Sequence, residues 1–166
     1  KQLMKHIEKF IEGHALQLLV KAMMSVRGIQ IISATLIAAE IGDLRRFKTA
    51  GQFMAFLGLV PSESSSGNSV KRGSLTKTGN GHVRRILIEA AQHYRHRPVL
   101  SAALRKRQEG ISKEVRDISW KAQQRLCSRL SHFTNSGKPR NKAIVALARE
   151  LAGFLWSLGQ VSQLLA

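Results

Sequence analysis

Residues 58–85 read GLVPSESSSGNSVKRGSLTKTGNGHVRR, with five of the chain's thirteen glycines, eight Ser or Thr hydroxyls and five Lys or Arg. No apolar run long enough for a helix occurs until the end of this stretch, and the sequence on either side reads as helix almost throughout. The pattern assigns an all-α, multi-helix domain interrupted by one long Ser/Gly/basic loop. A polar, basic loop of this length inside a compact domain is either functional or disordered. Few apolar side chains anchor residues 62–80, so they are expected to be mobile without nucleic acid.

Downstream, a helix is expected from Gly81 or His82. Val83, Ile86, Leu87, Ala90, Ala91 and Tyr94 fall on its inner stripe, while His82, Arg85, Glu89 and Gln92 face outward. Arg97-Pro98 breaks it. A short helix to about Gln108, a long amphipathic one over 113–132, a turn at 135–139 and the most apolar helix over 141–164 complete the chain. The last is expected to be the central packing element.

Upstream, short helices are expected over Leu44–Phe47 and Ala50–Leu57, with Asp43 or Thr49 as caps. A further helix spans Ile31–Ile41. The turn Ser25-Val26-Arg27-Gly28-Ile29-Gln30 before it makes a helix-hairpin-helix-like element, in which a glycine turn can offer N–H groups to a phosphate. Gln30 stands where the usual G-I-G form has its second glycine, and a purely structural hairpin fits equally. Residues 1–24 form an N-terminal amphipathic arm, interrupted at Gly13, before a helical domain over 25–166. The chain opens on Lys1 rather than Met, which is expected of a piece of something longer. No segment reads as a strand, and no βαβ alternation appears.

Charge narrows the function. Lys and Arg number 27 against 10 Asp and Glu, a net charge of +17. Between Lys71 and Arg107 stand ten Lys or Arg and one acid, Glu89. Such a field attracts polyanions, nucleic acid before membrane. The one cysteine, Cys127, excludes an intramolecular disulfide and is expected in the core or at its boundary. Arg149 and Glu150 cut the longest apolar stretch, so no membrane span is expected.

Catalytic chemistry is restricted too. The carboxylates are scattered, Glu40 and Asp43 being the close pair near the loop, so no metal site is expected in this chain. His93-x-x-His96 has zinc-like spacing, but no cysteine or second histidine pair stands near it. No Walker-type loop is present. Nucleophilic attack is better served. Ser62, Ser64, Ser65, Ser66 and Ser69 lie close in sequence to Lys71, Arg72, Lys77, Arg84 and Arg85. A serine hydroxyl can attack a phosphodiester when cations stabilise the charge on phosphorus and a base takes the proton. A flexible Ser/Gly linker that grips a phosphate backbone is the alternative.

Four spaced motifs bear on that choice. They are Gly58-Leu59-Val60-Pro61, Ser65-Ser66-Gly67, Gly73-Ser74-Leu75-Thr76-Lys77 with Gly79-Asn80, and Arg84-Arg85. Together with Ala34–Phe47 (ATLIAAEIGDLRRF) and Gly137–Trp156 (GKPRNKAIVALARELAGFLW), they resemble the C-terminal domain of insertion-sequence transposases of the IS one-ten / one-sixteen / nine-oh-two family. The resemblance covers nearly all of 26–158. It departs from the family pattern at Asn68, where a second glycine is usual, and at Gln30 and Ile31.

The resemblance implies a DNA recombinase with two halves. An N-terminal RuvC-like domain with acidic ligands for Mg has no counterpart in this chain, so the chain alone is expected to bind nucleic acid without cutting it. The serine-bearing half attacks DNA and forms a covalent phosphoserine-type linkage. The family serine falls on Ser65, with Ser66 as the alternate. Lys71, Arg72, Lys77, Asn80, His82, Arg84 and Arg85 become candidate nucleic-acid contacts, with Arg105, Lys106 and Arg107 outside the site. Gly67, Gly73 and Gly79 become the loop glycines, and His82 is also a possible proton acceptor. Implied partners are DNA, a structured guide (bridge) RNA and further copies of the full-length protein, in a prokaryotic cytoplasm at the nucleoid. A non-enzymatic nucleic-acid-binding module and a helical assembly module remain the alternatives.

Overall fold

The computed structural model describes residues 2–66 and 69–162; the side chains of residues 3 and 64–72 lie outside that description. In chain order the elements are α1 (Gln2–Ile11), α2 (Gln17–Met24), α3 (Ile31–Ile41), a 3-10 turn (Leu44–Arg46), α4 (Ala50–Phe56), β1 (Pro61–Ser66), β2 (Ser69–Leu75), α5 (Gly81–Ala91), a second 3-10 turn (Gln92–Arg95), α6 (Ala102–Arg107), α7 (Lys113–Asn135) and α8 (Arg140–Ser162). The all-α expectation holds, with one small sheet added.

Side-chain caps place many of the helix starts. Thr49 accepts from the N–H of Gln52 and opens α4, and Asn80 accepts from Val83 N to open α5. Ser101 and Ser112 do the same for α6 and α7. Each such cap satisfies one N–H that the helix itself leaves without a partner and is worth about 1 kcal/mol. Asp43 caps the 3-10 turn and also forms an ion pair with Arg45, which holds its carboxyl below the usual range.

The axis of the fold is α8. By length and composition it could cross a membrane, but here it is the central core helix. It packs against α2, α4, α5, α7 and the 44–46 turn and buries Ile144, Leu147, Leu151, Leu155 and Leu158. Full burial of each such leucine contributes about 1.5–3 kcal/mol. Gly159 admits the side chain of Leu44, to which a Cβ at 159 would approach within 2.4 Å. Trp156 Nε1 and Gln160 Nε2 donate to the carbonyls of Phe47 and Leu44 at 2.9 and 3.2 Å. Cys127 is buried in α7, and burial pushes its thiol pKa up.

The two helices that precede residue 25 pack differently. α1 lies against α3 and leaves Phe10 72% exposed, whereas α2 sinks Leu19, Val20 and Met23 into the common core. The turn after α2 is fastened from inside. Tyr94 Oη donates to Arg27 O at 3.1 Å, Gln108 Nε2 to Ser25 O at 2.9 Å, and Arg107 Nη1 to Ile29 O. Arg27 in turn donates to the carbonyls of His96, Arg97 and Val99.

The expectation of no strand is corrected. Residues 61–66 and 69–75, read as loop, form two antiparallel strands of a hairpin with Glu63 opposite Arg72, Ser64 opposite Lys71, Ser65 opposite Val70 and Ser66 opposite Ser69. An irregularity between Pro61 and Glu63 shifts the register near the base. The strands lack alternating apolar residues because the hairpin is not a layer of the core, and backbone pairing defines it instead.

Candidate functional site

The hairpin stands on a base in which two glycines interlock. Gly58 ends the α4 segment with φ +64, and Gly79 precedes α5 with φ +82. A Cβ at Gly58 would lie 2.2 Å from Thr78 O, and one at Gly79 would lie 1.9 Å from Phe56 O. Only glycine permits both the backbone conformation and this approach. Across the base Thr76 N donates to Val60 O at 3.0 Å, Lys77 N to Gly58 O at 3.3 Å and Asn80 N to Phe56 O at 3.3 Å. Lys77 takes φ +54, uncommon for a residue with a side chain.

Arg84 completes the base. Its Nη1 donates to Leu57 O at 2.9 Å and to Thr78 O at 3.4 Å, tying the two sides together. Higher up, Ser62 Oγ donates to Ser74 O at 3.0 Å and fills the space a side chain at Gly73 would need. Ser65 lies four residues along β1 from Pro61, about 13 Å from the base at 3.3 Å per residue. Lys71 and Arg72 fall beside it in register, opposite Ser64 and Glu63. The side chains of Ser65, Ser66, Lys71 and Arg72, and all of Gly67 and Asn68, lie outside the described residues.

At the foot of the hairpin Glu40, from α3, gathers two residues of α5's start. Its Oε2 accepts from Asn80 Nδ2 at 2.7 Å, and its Oε1 pairs with His82 Nδ1. Asn80 therefore caps α5 with one end of its amide and binds Glu40 with the other. His82 is exposed and oriented by a carboxylate, the arrangement that fixes which imidazole nitrogen faces outward. It lines a cleft of about 410 Å³ with Arg85, Glu89, His93, Ser33 and Gly28. Glu40 is the participant that sequence reasoning missed as a partner, because its neighbours are about forty positions downstream.

With this geometry in place, residues 20–105 match the protein family described as Transposase IS116/IS110/IS902, a span that includes the hairpin, its base and α5. The chain belongs to that family. A Sinorhizobium fredii protein carrying the transposase name y4qE is 41% identical over 93% of this chain and 40% of its own length. A family 20 transposase of Pseudomonas aeruginosa is 32% identical over 95% of this chain and 39% of its own. The transposase for insertion sequence element IS1111A of Coxiella burnetii is 29% identical over 82% of this chain. The chain spans about two fifths of the length of the first two relatives.

The remaining cations of this transposase chain are divided by location. Arg85 and Lys77 are exposed beside the base; Arg105 and Lys106 are exposed on α6. Arg107 is half-buried, its guanidinium directed at Ile29 O, and burial lowers its pKa. The helix-hairpin-helix-like turn packs against the end of α5: a Cβ at Gly28 would lie 2.7 Å from Ala90 O. Its glycine thus serves a close approach of backbone to backbone. His93 and His96 are both exposed, and His96 Nε2 accepts from Arg95 Nε at 3.0 Å. Among the described residues no group of three or more His, Cys, Asp or Glu gathers to hold a metal ion.

Proposed function

We propose that this chain is the part of an insertion-sequence transposase that carries the nucleophilic serine to a DNA phosphodiester. The observation that supports the reading is the hairpin itself: a ribbon held on a glycine-locked base, with Ser65 four residues along β1 from Pro61 and with Lys71 and Arg72 opposite its strand neighbours Ser64 and Glu63. Ser65 Oγ attacks phosphorus, the bond from phosphorus to the leaving sugar oxygen breaks, and that oxygen takes up a proton as the serine hydroxyl gives one up. The product is a phosphoserine ester, which a second DNA hydroxyl can attack in turn, so that strand exchange needs no external energy source.

Distance sorts the other roles. His82 sits at the hairpin foot, about four strand residues from Ser65, so the geometry favours contact with a neighbouring phosphate over proton transfer from the serine. Arg85, Lys77 and the exposed pair Arg105 and Lys106 supply further phosphate contacts. Arg84 and Asn80 act by holding the base. In the full-length transposase this chain would work beside a Mg-dependent RuvC-like domain, with a structured guide RNA and as a homo-oligomer in the bacterial cytoplasm. The exposed apolar side chains of α1, Phe10 and Met4, suit contact with another copy.

The test is the full-length transposase with labelled DNA on a denaturing gel. A DNA–protein adduct that disappears in Ser65→Ala while DNA binding persists is the expected result. Strand exchange retained in that variant would overturn the assignment, and Ser66→Ala would then identify the alternate nucleophile. Binding without any adduct or exchange in the unaltered protein would favour a non-enzymatic nucleic-acid-binding module.

A further inference from the structure

A second cleft, of about 550 Å³, opens at the far end of α5, where the turn between α7 and α8 meets the 92–95 turn. Its floor is apolar, from Leu130 and Ile144, and its rim carries Arg95, Lys138 and Arg140 with the amide of Gln92. Among the described residues that line it, none is acidic. A volume in this range accommodates a small ligand or one unit of a polymer.

Three observations separate this cleft from an ordinary solvated basic surface. First, Arg125 and Arg129 of α7 share a carboxylate partner in Glu150, whereas the three rim cations face a space without a lining carboxylate. Second, the rim is built. Lys138 Nζ rests over the Phe133 ring at 4.2 Å, and Arg140 Nη2 reaches Gln92 Oε1 at 3.5 Å. Third, these cations are not needed to satisfy the last carbonyls of α7. Backbone N–H groups of Ser136, Gly137 and Lys138 already donate to the carbonyls of His132, Thr134 and Phe133.

We propose that this cleft is a second phosphate-binding site, which takes a backbone phosphate of the nucleic acid that the hairpin engages; the inference rests on the nucleic-acid reading given above. The separation suits a polymer. From Gly81 at the hairpin base to Gln92 at the cleft α5 rises about 16 Å at 1.5 Å per residue. That is roughly five phosphates of one strand at 3.4 Å each. Between the two ends Arg85 lies on the exposed face of α5, and Glu89 of the same helix is held by Gln92 at 3.3 Å. Phosphodiesters of DNA and of RNA share the chemistry required.

The experiment measures binding of the 166-residue chain to a fluorescent 20-base-pair DNA duplex, and separately to an RNA duplex of the same sequence, across a range of salt. The triple variant Arg95→Gln, Lys138→Gln, Arg140→Gln is compared with Lys5→Gln, Lys9→Gln, Lys21→Gln, which removes the same charge from α1 and α2. The cleft variant is expected to weaken binding about tenfold or more near 0.1 M salt and to flatten the log–log salt slope by about two to three, close to 0.9 for each phosphate no longer neutralised. The charge-matched control should change affinity about twofold or less. Weaker binding of DNA, RNA or both by the cleft variant supports the site and names its source. Equal weakening in the two triples, or none in the cleft variant, overturns it while leaving nucleic-acid binding intact. If the unaltered chain binds neither duplex at low salt, the nucleic-acid reading itself fails. Circular dichroism checks the fold; should the triple unfold, Lys138→Gln and Arg140→Gln alone are each expected to flatten the slope by about one, and no change in either overturns the site.

Discussion

The carbonyl oxygen of Phe56 occupies the place that a side chain at Gly79 would need, 1.9 Å from an ideal Cβ. Because the obstacle is backbone and not the end of a flexible side chain, nothing nearby can yield at small cost. Gly79→Ala must therefore pull Phe56 and Gly79 apart as well as strain a residue at φ +82. A loss of about 2 kcal/mol or more is expected, a drop in melting temperature of roughly 5 °C for a chain of this size. Gly137→Ala is the comparison. It shares the positive φ but has no atom within 4 Å of its Cβ, so its loss should be smaller.

Arg84 and Arg85 are adjacent and should separate cleanly. Arg84 donates into the hairpin base, so Arg84→Ala leaves the buried side of that base without its tie and should cost about 1–3 kcal/mol. Hydrogen exchange should quicken at Thr76 and Lys77, whose amides cross the base. Arg85→Ala should leave melting unchanged within about 0.5 kcal/mol and lower the salt slope of DNA binding by about one. The reverse pattern would show that the two roles have been exchanged.

Glu40 should matter to nucleic-acid binding although it carries the wrong charge for it. Glu40→Gln keeps a partner for Asn80 and removes the carboxylate that orients His82. The expected result is an unchanged helix content with the His82 ring signals altered in NMR and DNA binding weakened a few-fold, an effect absent when His82 is already replaced by Ala. Additive losses in the double variant would contradict an action of Glu40 through His82.

The buried thiol of Cys127 gives a pH prediction. Burial raises its pKa in the folded chain, so the folded state holds this proton more tightly than the unfolded state does. That contribution is fully present below the unfolded value of about 8.5 and is lost as pH climbs through the raised folded value. Alkylation at pH 8 should be slow in the native chain and rapid in urea, and Cys127→Ser should reduce the alkaline fall in stability. Fast labelling of the native chain would show that the thiol is reachable.

The helices were legible because two physical signals coincide in them. The outward positions His82, Arg85, Glu89 and Gln92 alternate with a buried stripe at the helical period, and Asn80 at the start provides a cap. In α8 the period alone sufficed, since its leucines repeat at core spacing. The hairpin was not legible, since Ser, Lys and Arg along its strands give no alternation of apolar and polar residues. The available signal was the Gly67-Asn68 dipeptide between two short runs, a hairpin turn sequence. Arg107 and Arg84 read as phosphate contacts for the opposite reason: charge is visible in a sequence, while the carbonyls of Ile29 and Leu57 that occupy them are not. The family motifs marked Ser65, but only the backbone register places it opposite Val70.

The interlocked base makes the hairpin a lever whose fulcrum is shared by α4 and α5. With Ser65 about 13 Å from the fulcrum, a 5° tilt between those helices would carry it about 1 Å, a displacement large enough to change a reaction rate about a hundredfold. The α4 side of that fulcrum rests in the core, where Gly153 of α8 receives the end of Met54 of α4, 2.7 Å from the position of a Cβ. On the proposed serine attack, a substitution at that apolar contact would spoil the aim without touching the hairpin itself.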